Sequence, residues 1–216
     1  MSEANKSGQV VLTLRNVRLS YFYGFKPMIG QNDSGKETAN YTTHAIMGPD
    51  HPDLARVKAA IREVAQKGWP TSHEAVLKQL AAQDRLCLHN GSVSKAGQDG
   101  YEGNFYVSAN SKTRPTIVET RNGQNVVLTE ADGRPYSGCY ANVMIAIYAQ
   151  GGDGKPSKFG KRVNAQLMGV QFKGHGEAFG GGRVAKPDEF GIDPADADGD
   201  APGAAAGTPS DASDLF

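Results

Sequence analysis

One stretch of the chain, Tyr136–Ala149, restricts the fold more than any other. One set of its alternate positions is apolar or small throughout. This set consists of Cys139, Ala141, Val143, Ile145 and Ile147. Because successive side chains of a β-strand point to opposite faces, the period of two predicts a long strand with one face in a core. Such a strand needs partners, so we expect a chain built around a β-sheet.

Shorter stretches with the same character, separated by Gly- and Asn-rich turns, predict the other strands. They are residues 10–19, 41–47, 104–111, 116–120, 125–129 and 163–173. Two helices are expected between the strands at 41–47 and 104–111. The first follows Pro52, and the second opens with a capping box formed by Thr71 and Glu74. Many short strands with a helical insertion favour a mainly β fold, a small closed or partly open barrel.

The composition changes at Ala185. Of the 23 basic and 23 acidic residues, the segment 185–216 holds one and eight, so its formal charge is −7 and that of residues 1–184 is +7. The segment is rich in Ala, Gly, Pro and Asp and closes with Leu215 and Phe216. We therefore expect one domain over residues 1–184 and a disordered acidic tail over 185–216. A basic body joined to an acidic segment is typical of proteins that bind nucleic acids or other anions.

No apolar run approaches the roughly 18–20 residues that a membrane-spanning helix needs. The first residues also lack the apolar segment of a secretory signal. We therefore expect a protein of the cytoplasm, the host-cell cytoplasm if a phage encodes it, with no membrane partner. Cys87 and Cys139 lie among apolar neighbours, which favours buried thiols over a disulfide.

The strand at 104–111 carries the first candidate binding residues. Its alternation puts Phe105, Val107 and Ala109 on one face. The other face begins with Tyr106, and Lys112 and Arg114 follow in the same register. An aromatic ring can stack on a base and cations can neutralise phosphates, so this face suits a single strand of nucleic acid. The alternative is an ordinary solvated face of a barrel strand.

The long strand repeats this pattern. Tyr140 and Tyr148 lie on the face opposite its apolar set, and a basic stretch follows that includes Lys158, Lys161 and Arg162. These residues extend the candidate surface, although the tyrosines could instead pack beneath a loop. The earlier aromatic residues Tyr21 and Tyr23 are weaker candidates.

Catalytic, metal-binding and cofactor-binding residues are not apparent. The five histidines are dispersed, and the carboxylates of residues 1–184 show no pairing suited to acid–base chemistry. Without a nucleophile, a general base or a metal-ligand spacing, we expect no enzymatic activity, no cofactor and no metal.

Several motifs, in this order and spacing, resemble a family of bacteriophage single-stranded DNA-binding proteins. They are Leu19-Ser-Tyr21, Ser108–Pro115, Tyr136-Ser-Gly-Cys-Tyr140, Asn164–Gln171 and Gly176–Gly180. The resemblance covers nearly all of residues 8–182. It implies an OB-fold-like five-stranded barrel with added strands and a two-helix insertion, followed by an acidic tail that ends in an aromatic residue. It also implies a homodimer. The sparse acids near Phe216 and the Ala/Gly/Pro spacer depart from the family pattern.

The resemblance and the charges lead to a functional expectation: a non-catalytic protein that coats and protects single-stranded DNA during phage replication or recombination. The acidic tail would compete with DNA and recruit replication or recombination proteins. The tail residues expected to bind such a partner are Asp211, Asp214, Leu215 and Phe216. The alternative is a protein-interaction or strand-annealing accessory factor in which the tyrosines are structural.

Overall fold

The computed structural model describes residues 8–31, 35, 37–155 and 157–180. Its helices are α1 (Pro52–Gly68), α2 (His73–Ala82) and α3 (Gly91–Ser94), with a 3-10 turn at Glu130–Asp132. The predicted tail and the domain boundary at residue 184 fall outside the described residues and stay predictions. The strands are β1 (Val10–Gln31), β2 (Glu37–Met47), β3 (Leu88–Asn90), β4 (Phe105–Ser111), β5 (Thr116–Arg121), β6 (Gln124–Val127), β7 (Tyr140–Gln150) and β8 (Arg162–Gly174).

Five of the strands close into a barrel, which confirms the mainly β, OB-fold-like prediction. Strand β1 pairs antiparallel with β2 on one side and with β7 on the other, while β2 pairs with β4 and β7 with β8. A short parallel contact between β4 and β8, at Ala109 and Ala165, closes the ring. The short strand β3 extends the sheet beyond β4, and the β5–β6 hairpin extends it beyond β8.

The alternation of β7 places its apolar set in the core as predicted, and each of those five side chains is fully buried. The strand begins at Tyr140, however, and not at Tyr136. Residues 136–139 form a turn in which the Cys139 N–H donates to the Tyr136 carbonyl at 3.2 Å. Gly138 makes this turn possible, because its φ is +110° and a Cβ there would lie 2.1 Å from the Glu177 carbonyl oxygen.

Strand β1 continues well beyond the predicted end at Leu19. The aromatic residues that follow belong to an extended hairpin with β2, and the register shifts twice, between Ser20 and Tyr23 and between Tyr23 and Met28. Bulges of this kind bend a strand and redirect its side chains. They bring Tyr21 and Tyr23 to the outer face of the barrel edge, where each is about 40% exposed.

Helix α1 packs against the barrel with its apolar stripe, and α2 packs against α1. The predicted capping box at Thr71 is wrong. The N-cap of α2 is Ser72, and its side chain makes no capping hydrogen bond. The Ser72 N–H instead donates to the Trp69 carbonyl at 3.1 Å, so a turn over residues 69–72 takes Thr71 out of the capping position.

Both cysteines are free and buried, as predicted. Burial raises the pKa of the Cys87 thiol to about 12 and that of the Cys139 thiol to about 11. Within the described residues, none of the helices combines the length and the apolar character that a membrane span requires.

Candidate nucleic-acid interface

A row of four rings crosses the outer face of strands β1, β2, β4 and β3. The row consists of Tyr21, His44, Tyr106 and His89. The ring centroids of successive members lie 5.0, 4.5 and 4.8 Å apart. His44 is nearly parallel to Tyr106, at 23°, and so is His89, at 19°. Strand pairing produces this row, because the four side chains come from neighbouring strands of one sheet.

Tyr106 lies on the predicted face, but its ring is not exposed. Only 4% of the residue is accessible, since His44 and His89 cover its two faces and its hydroxyl lies 3.1 Å from the Ser94 hydroxyl. The predicted stacking surface at Tyr106 is therefore covered in this structure. The accessible ring of the row is Tyr21, which is 39% exposed.

A covering loop, residues 91–104, lies against the ring row. The Tyr21 hydroxyl donates to Gln98 Oε1 at 2.8 Å, and Lys95 Nζ lies 4.8 Å from the centroid of the Tyr21 ring. Farther along the loop, the Tyr101 hydroxyl is 2.7 Å from His44 Nδ1. Lys95 thus holds a cation against the most exposed ring of the row, an arrangement stabilised by the negative face of the ring.

His44 and Tyr106 are neutral near pH 7. Burial, aided by the nearby positive charges of Lys95 and His89, lowers the pKa of His44 to about 4. Burial also raises the pKa of the Tyr106 hydroxyl above its ordinary value. His89 Nδ1 lies 2.7 Å from the Asp84 carboxylate. Neutral rings favour aromatic contacts with bases. The positive charge that phosphates need must therefore come from the rim of the row, whose basic side chains include Arg85, Lys95 and Arg162.

Two cavities adjoin the ring row. The first cavity, of about 560 Å³, is lined by Tyr21, Tyr23 and Gln98, and also by Phe179 and Gly180. The second cavity, of about 400 Å³, is lined by ring-row members and by polar and basic side chains. These polar and basic side chains include Arg85, Lys95, Ser108, Asn110, Arg162 and Asn164. The predicted residues Tyr106 and Arg162 therefore meet at this second cavity.

Three other predicted residues are exposed. Lys112 and Arg114 are exposed in the connection from β4 to β5, and the Arg114 guanidinium lies 6.0 Å from the ring centroid of Phe25 in the β1–β2 hairpin. Tyr140 is 38% exposed. It shares a row of paired positions with Tyr106, running through Ile46 and Arg18.

Tyr148, Lys158 and Lys161 are not among the residues that line these two cavities, although Tyr148 pairs with Asn164, which lines the second one. Tyr148 lines a cavity of about 360 Å³ together with residues of α1. Lys161 Nζ lies 5.5 Å from the Trp69 ring centroid and 3.8 Å from the Asp153 carboxylate. Lys158 Nζ lies 4.9 Å from the ring centroid of Phe159. The structure thus divides the predicted residues between two regions.

Several residues of the ring row and its rim were not found from the sequence. They are His44, His89, Arg85, Lys95 and Gln98. His44 lies at an alternate position of a predicted strand, a signal that could have placed it on an outer face. Arg85 and Lys95 carry no local signal, because they lie in connections whose path depends on distant contacts. In the described residues, no group of three or more His, Cys, Asp or Glu side chains could hold a metal ion.

A family model described as Enterobacter phage Enc34, ssDNA-binding protein, matches residues 9–201. The putative protein p50 of Acyrthosiphon pisum secondary endosymbiont phage 1 is 35% identical over 182 residues, which cover 83% of this chain and 91% of p50. Both matches span most of the chain. They agree with the resemblance carried by the sequence motifs.

Solved structures of similar fold include the single-stranded DNA-binding protein from bacteriophage Enc34 in complex with ssDNA. Its TM-score is 0.63 at 22% identity, over 83% of this chain and 98% of that one. A second structure of the Enc34 protein has a TM-score of 0.59 at 23% identity, over 88% and 98% of the two chains. These likenesses establish the fold, and the match over residues 9–201 establishes the family. The chain belongs to the family of the Enterobacter phage Enc34 ssDNA-binding protein.

Proposed function

We propose that this protein binds single-stranded DNA on the outer face that carries the ring row. The observation that carries the proposal is a row of aromatic rings across four strands with basic side chains along its rim. Membership of a family described by its ssDNA-binding protein supports it. So does the fold shared with a protein solved in complex with ssDNA.

Binding would combine stacking with charge neutralisation. A base would stack on the exposed ring of Tyr21, an interaction worth about 1–3 kcal/mol per base and tolerant of sequence. The predicted cations Lys112, Arg114 and Arg162 would neutralise phosphates, and this part of the affinity falls as salt rises. Tyr106 would act by supporting the two histidine rings that cover it, and Tyr140 would extend the same face.

The group of Tyr148, Lys158 and Lys161 is proposed as a second contact region for a longer strand. Lys158 and Lys161 both belong to the connection from β7 to β8, and Arg162, which lines the second cavity, follows directly. A strand that left this cavity past the start of β8 would reach these lysines. The proposed mode of action is binding alone, without catalysis, in the host-cell cytoplasm, and the proposed form is a homodimer.

The acidic segment 185–216 is proposed to regulate access to this surface. Its formal charge of −7 opposes the +7 of residues 1–184, so it can compete with DNA phosphates for the same cations. Gly180, the last of the described residues, lines the first cavity beside Tyr21. When DNA displaces the segment, Asp211, Asp214, Leu215 and Phe216 would bind replication or recombination proteins.

A salt titration tests the proposed function. Fluorescence anisotropy would measure the affinity of the full chain for labelled oligo-dT and for a duplex of equal length between about 50 and 500 mM salt. We expect strong preference for the single strand and a linear fall of log K with log salt. Equal affinity for the two forms, or no binding of oligo-dT at low salt, would overturn the proposal and favour an accessory factor that acts through proteins.

A further inference from the structure

Three cations from three different elements line the second cavity. Arg85 lies in the connection from α2 to β3, Lys95 directly follows α3, and Arg162 begins β8. Arg85 and Lys95 are half-buried and Arg162 is exposed. Among the residues that the structure describes, none of the three forms an ion pair with a carboxylate. Like charges gathered without a counter-ion repel one another, so the arrangement favours an anion between them.

The backbone holds two of these cations together. The Arg85 N–H donates to the Leu80 carbonyl at 2.8 Å, and the Arg85 carbonyl accepts from the Val163 N–H at 3.1 Å. Because Val163 directly follows Arg162, this second bond ties the two arginines to one point of the barrel. Lys95 is held directly after α3, where its N–H donates to the Gly91 carbonyl at 2.9 Å.

The cavity offers little negative charge to offset them. Asp84 is the carboxylate among the residues that line it, and that group already pairs with His89 at 2.7 Å. The floor is polar and uncharged, with Ser108 and Asn110 from β4 and Asn164 from β8.

We propose that the second cavity is a subsite for one phosphodiester group of the bound strand, held by Arg85, Lys95 and Arg162. Arginine suits this role because its planar guanidinium donates two parallel hydrogen bonds to phosphate oxygens. Lys95 also contacts the Tyr21 ring, so one side chain links the stacking position to the phosphate position. The inference deepens the proposed function and rests on it.

Charge-removing variants of the full chain test the subsite. Arg85→Gln, Lys95→Gln and Arg162→Gln, singly and combined, would be titrated with labelled oligo-dT over a range of salt. Arg62→Gln, an exposed position on α1, is the matched control. Releasing one phosphate from a single strand lowers the slope of log K against log salt by about 0.7. If the three cations hold one phosphate, we expect the triple variant to lose about 0.7 in all, and not about three times as much.

The loss in affinity should be the same for oligo-dT and oligo-dA, because a phosphate contact carries no base information. If the wild type binds oligo-dT and the three charge-removing variants bind it as tightly as Arg62→Gln does, the subsite would be overturned and the proposed function would stand. Circular dichroism spectra that match the wild type would establish that each variant retains the fold.

A mononucleotide separates the subsite from the proposed function. Isotope-labelled full-length protein would be titrated with thymidine 5′-monophosphate and, as control, with thymidine, while the backbone amides of Ser108, Asn110 and Asn164 are followed by NMR. We expect saturable shifts with the monophosphate alone, and their loss in the variant that combines Arg85→Gln with Arg162→Gln. Equal shifts with the nucleoside, or none with either compound, would overturn the subsite. Shifts with the monophosphate in a protein that fails to bind oligo-dT would overturn the proposed function alone.

Discussion

Tyr21 adopts a backbone conformation that bulky residues rarely take. Its φ is 48°, in the left-handed region that costs an ordinary residue free energy. The residue lies where the register of β1 shifts against β2, and the bulge turns its ring toward His44 and the covering loop. An unfavourable conformation that the surrounding contacts maintain often marks a functional position. Here it holds an aromatic ring half in solvent beside a cation.

Replacing this ring should weaken binding of single-stranded DNA. We expect Tyr21→Ala to lower the affinity for oligo-dT by about tenfold or more, since one base–ring stack contributes about 1–3 kcal/mol. Tyr21→Phe is the matched control, because it keeps the ring and removes only the hydrogen bond to Gln98. Anisotropy at fixed salt measures both. An alanine variant that binds as tightly as the wild type would rule out stacking at this position.

Single residues differ in how far local sequence predicts them. Alternation correctly placed Tyr106 on the outer side of β4, because that depends on neighbouring residues alone. Its burial could not be foreseen in the same way. It depends on His44 and His89, which reach Tyr106 through pairings of β4 with β2 and β3. A period of two identifies a face but does not show what covers it.

Helix α1 is tied to the barrel through one buried carboxylate. Asp53 is 3% exposed. Its Oδ2 accepts a hydrogen bond from the Arg15 N–H at 2.7 Å, and its Oδ1 pairs with Arg56. Arg15 lies where the register of β1 shifts against β7, between Leu14 and Val17. The carboxylate therefore satisfies a backbone donor that the irregular ladder leaves without a strand partner.

Removing this carboxylate should destabilise the fold. We expect Asp53→Ala to lower the free energy of unfolding by about 1–3 kcal/mol, because it removes the acceptor of the part-buried hydrogen bond from the Arg15 N–H and one partner of the Arg56 ion pair. Asp53→Asn keeps an acceptor oxygen and should cost less. Urea unfolding followed by circular dichroism measures the difference. Glu63→Ala is the control, because its exposed pair with Lys67 is worth under about 0.5 kcal/mol. If the Asp53→Ala loss were as small as that of the control, the link would have no role in stability.

Elements were predicted where their signal is local and missed where it is not. The periods of β7 and β8 and the apolar stripe of α1 appear in the sequence, and these elements form at nearly the expected positions. The long strand was predicted to start at Tyr136, but it begins at Tyr140. Gly138 and a local hydrogen bond turn the chain before that residue. The full length of β1 was missed because bulges interrupt its alternation. A bulge shifts the period by one residue, so a two-residue pattern cannot be followed through it.

The closed barrel depends on pairings between residues far apart in the chain. Its parallel contact joins Ala109 with Ala165 and Asn110 with Gln166, and nothing near these residues in the sequence announces the contact. The barrel was inferred from the number of short strands, and its type from motif order. At this scale, closure brings Arg162 of β8 beside Tyr106 of β4. Residues from two separately predicted groups therefore meet at one cavity, while Lys158 and Lys161 are not among the residues that line it.

The whole molecule has no net formal charge because its acidic segment cancels the charge of the rest. Deleting residues 185–216 leaves a chain with a formal charge of +7. We expect the deletion to tighten binding of oligo-dT at about 50 mM salt by tenfold or more. The difference should shrink toward none near 500 mM, because salt screens interactions between exposed charges.

Two further variants separate charge from recognition. Replacing the eight acids of the segment with Asn or Gln keeps its length and removes its charge, so it should reproduce the tighter binding if electrostatic competition is the cause. Substituting Phe216→Ala leaves that charge unchanged, so affinity for oligo-dT should remain that of the wild type while capture of a replication or recombination protein is lost. If the chains with the neutral and the acidic segment bound oligo-dT with equal affinity, electrostatic competition would be contradicted. The mere presence of the segment, without its charge, would not produce a salt-dependent difference in affinity. If the Phe216→Ala variant still captured the partner protein, the acidic side chains of the segment, and not Phe216, would be responsible for binding it.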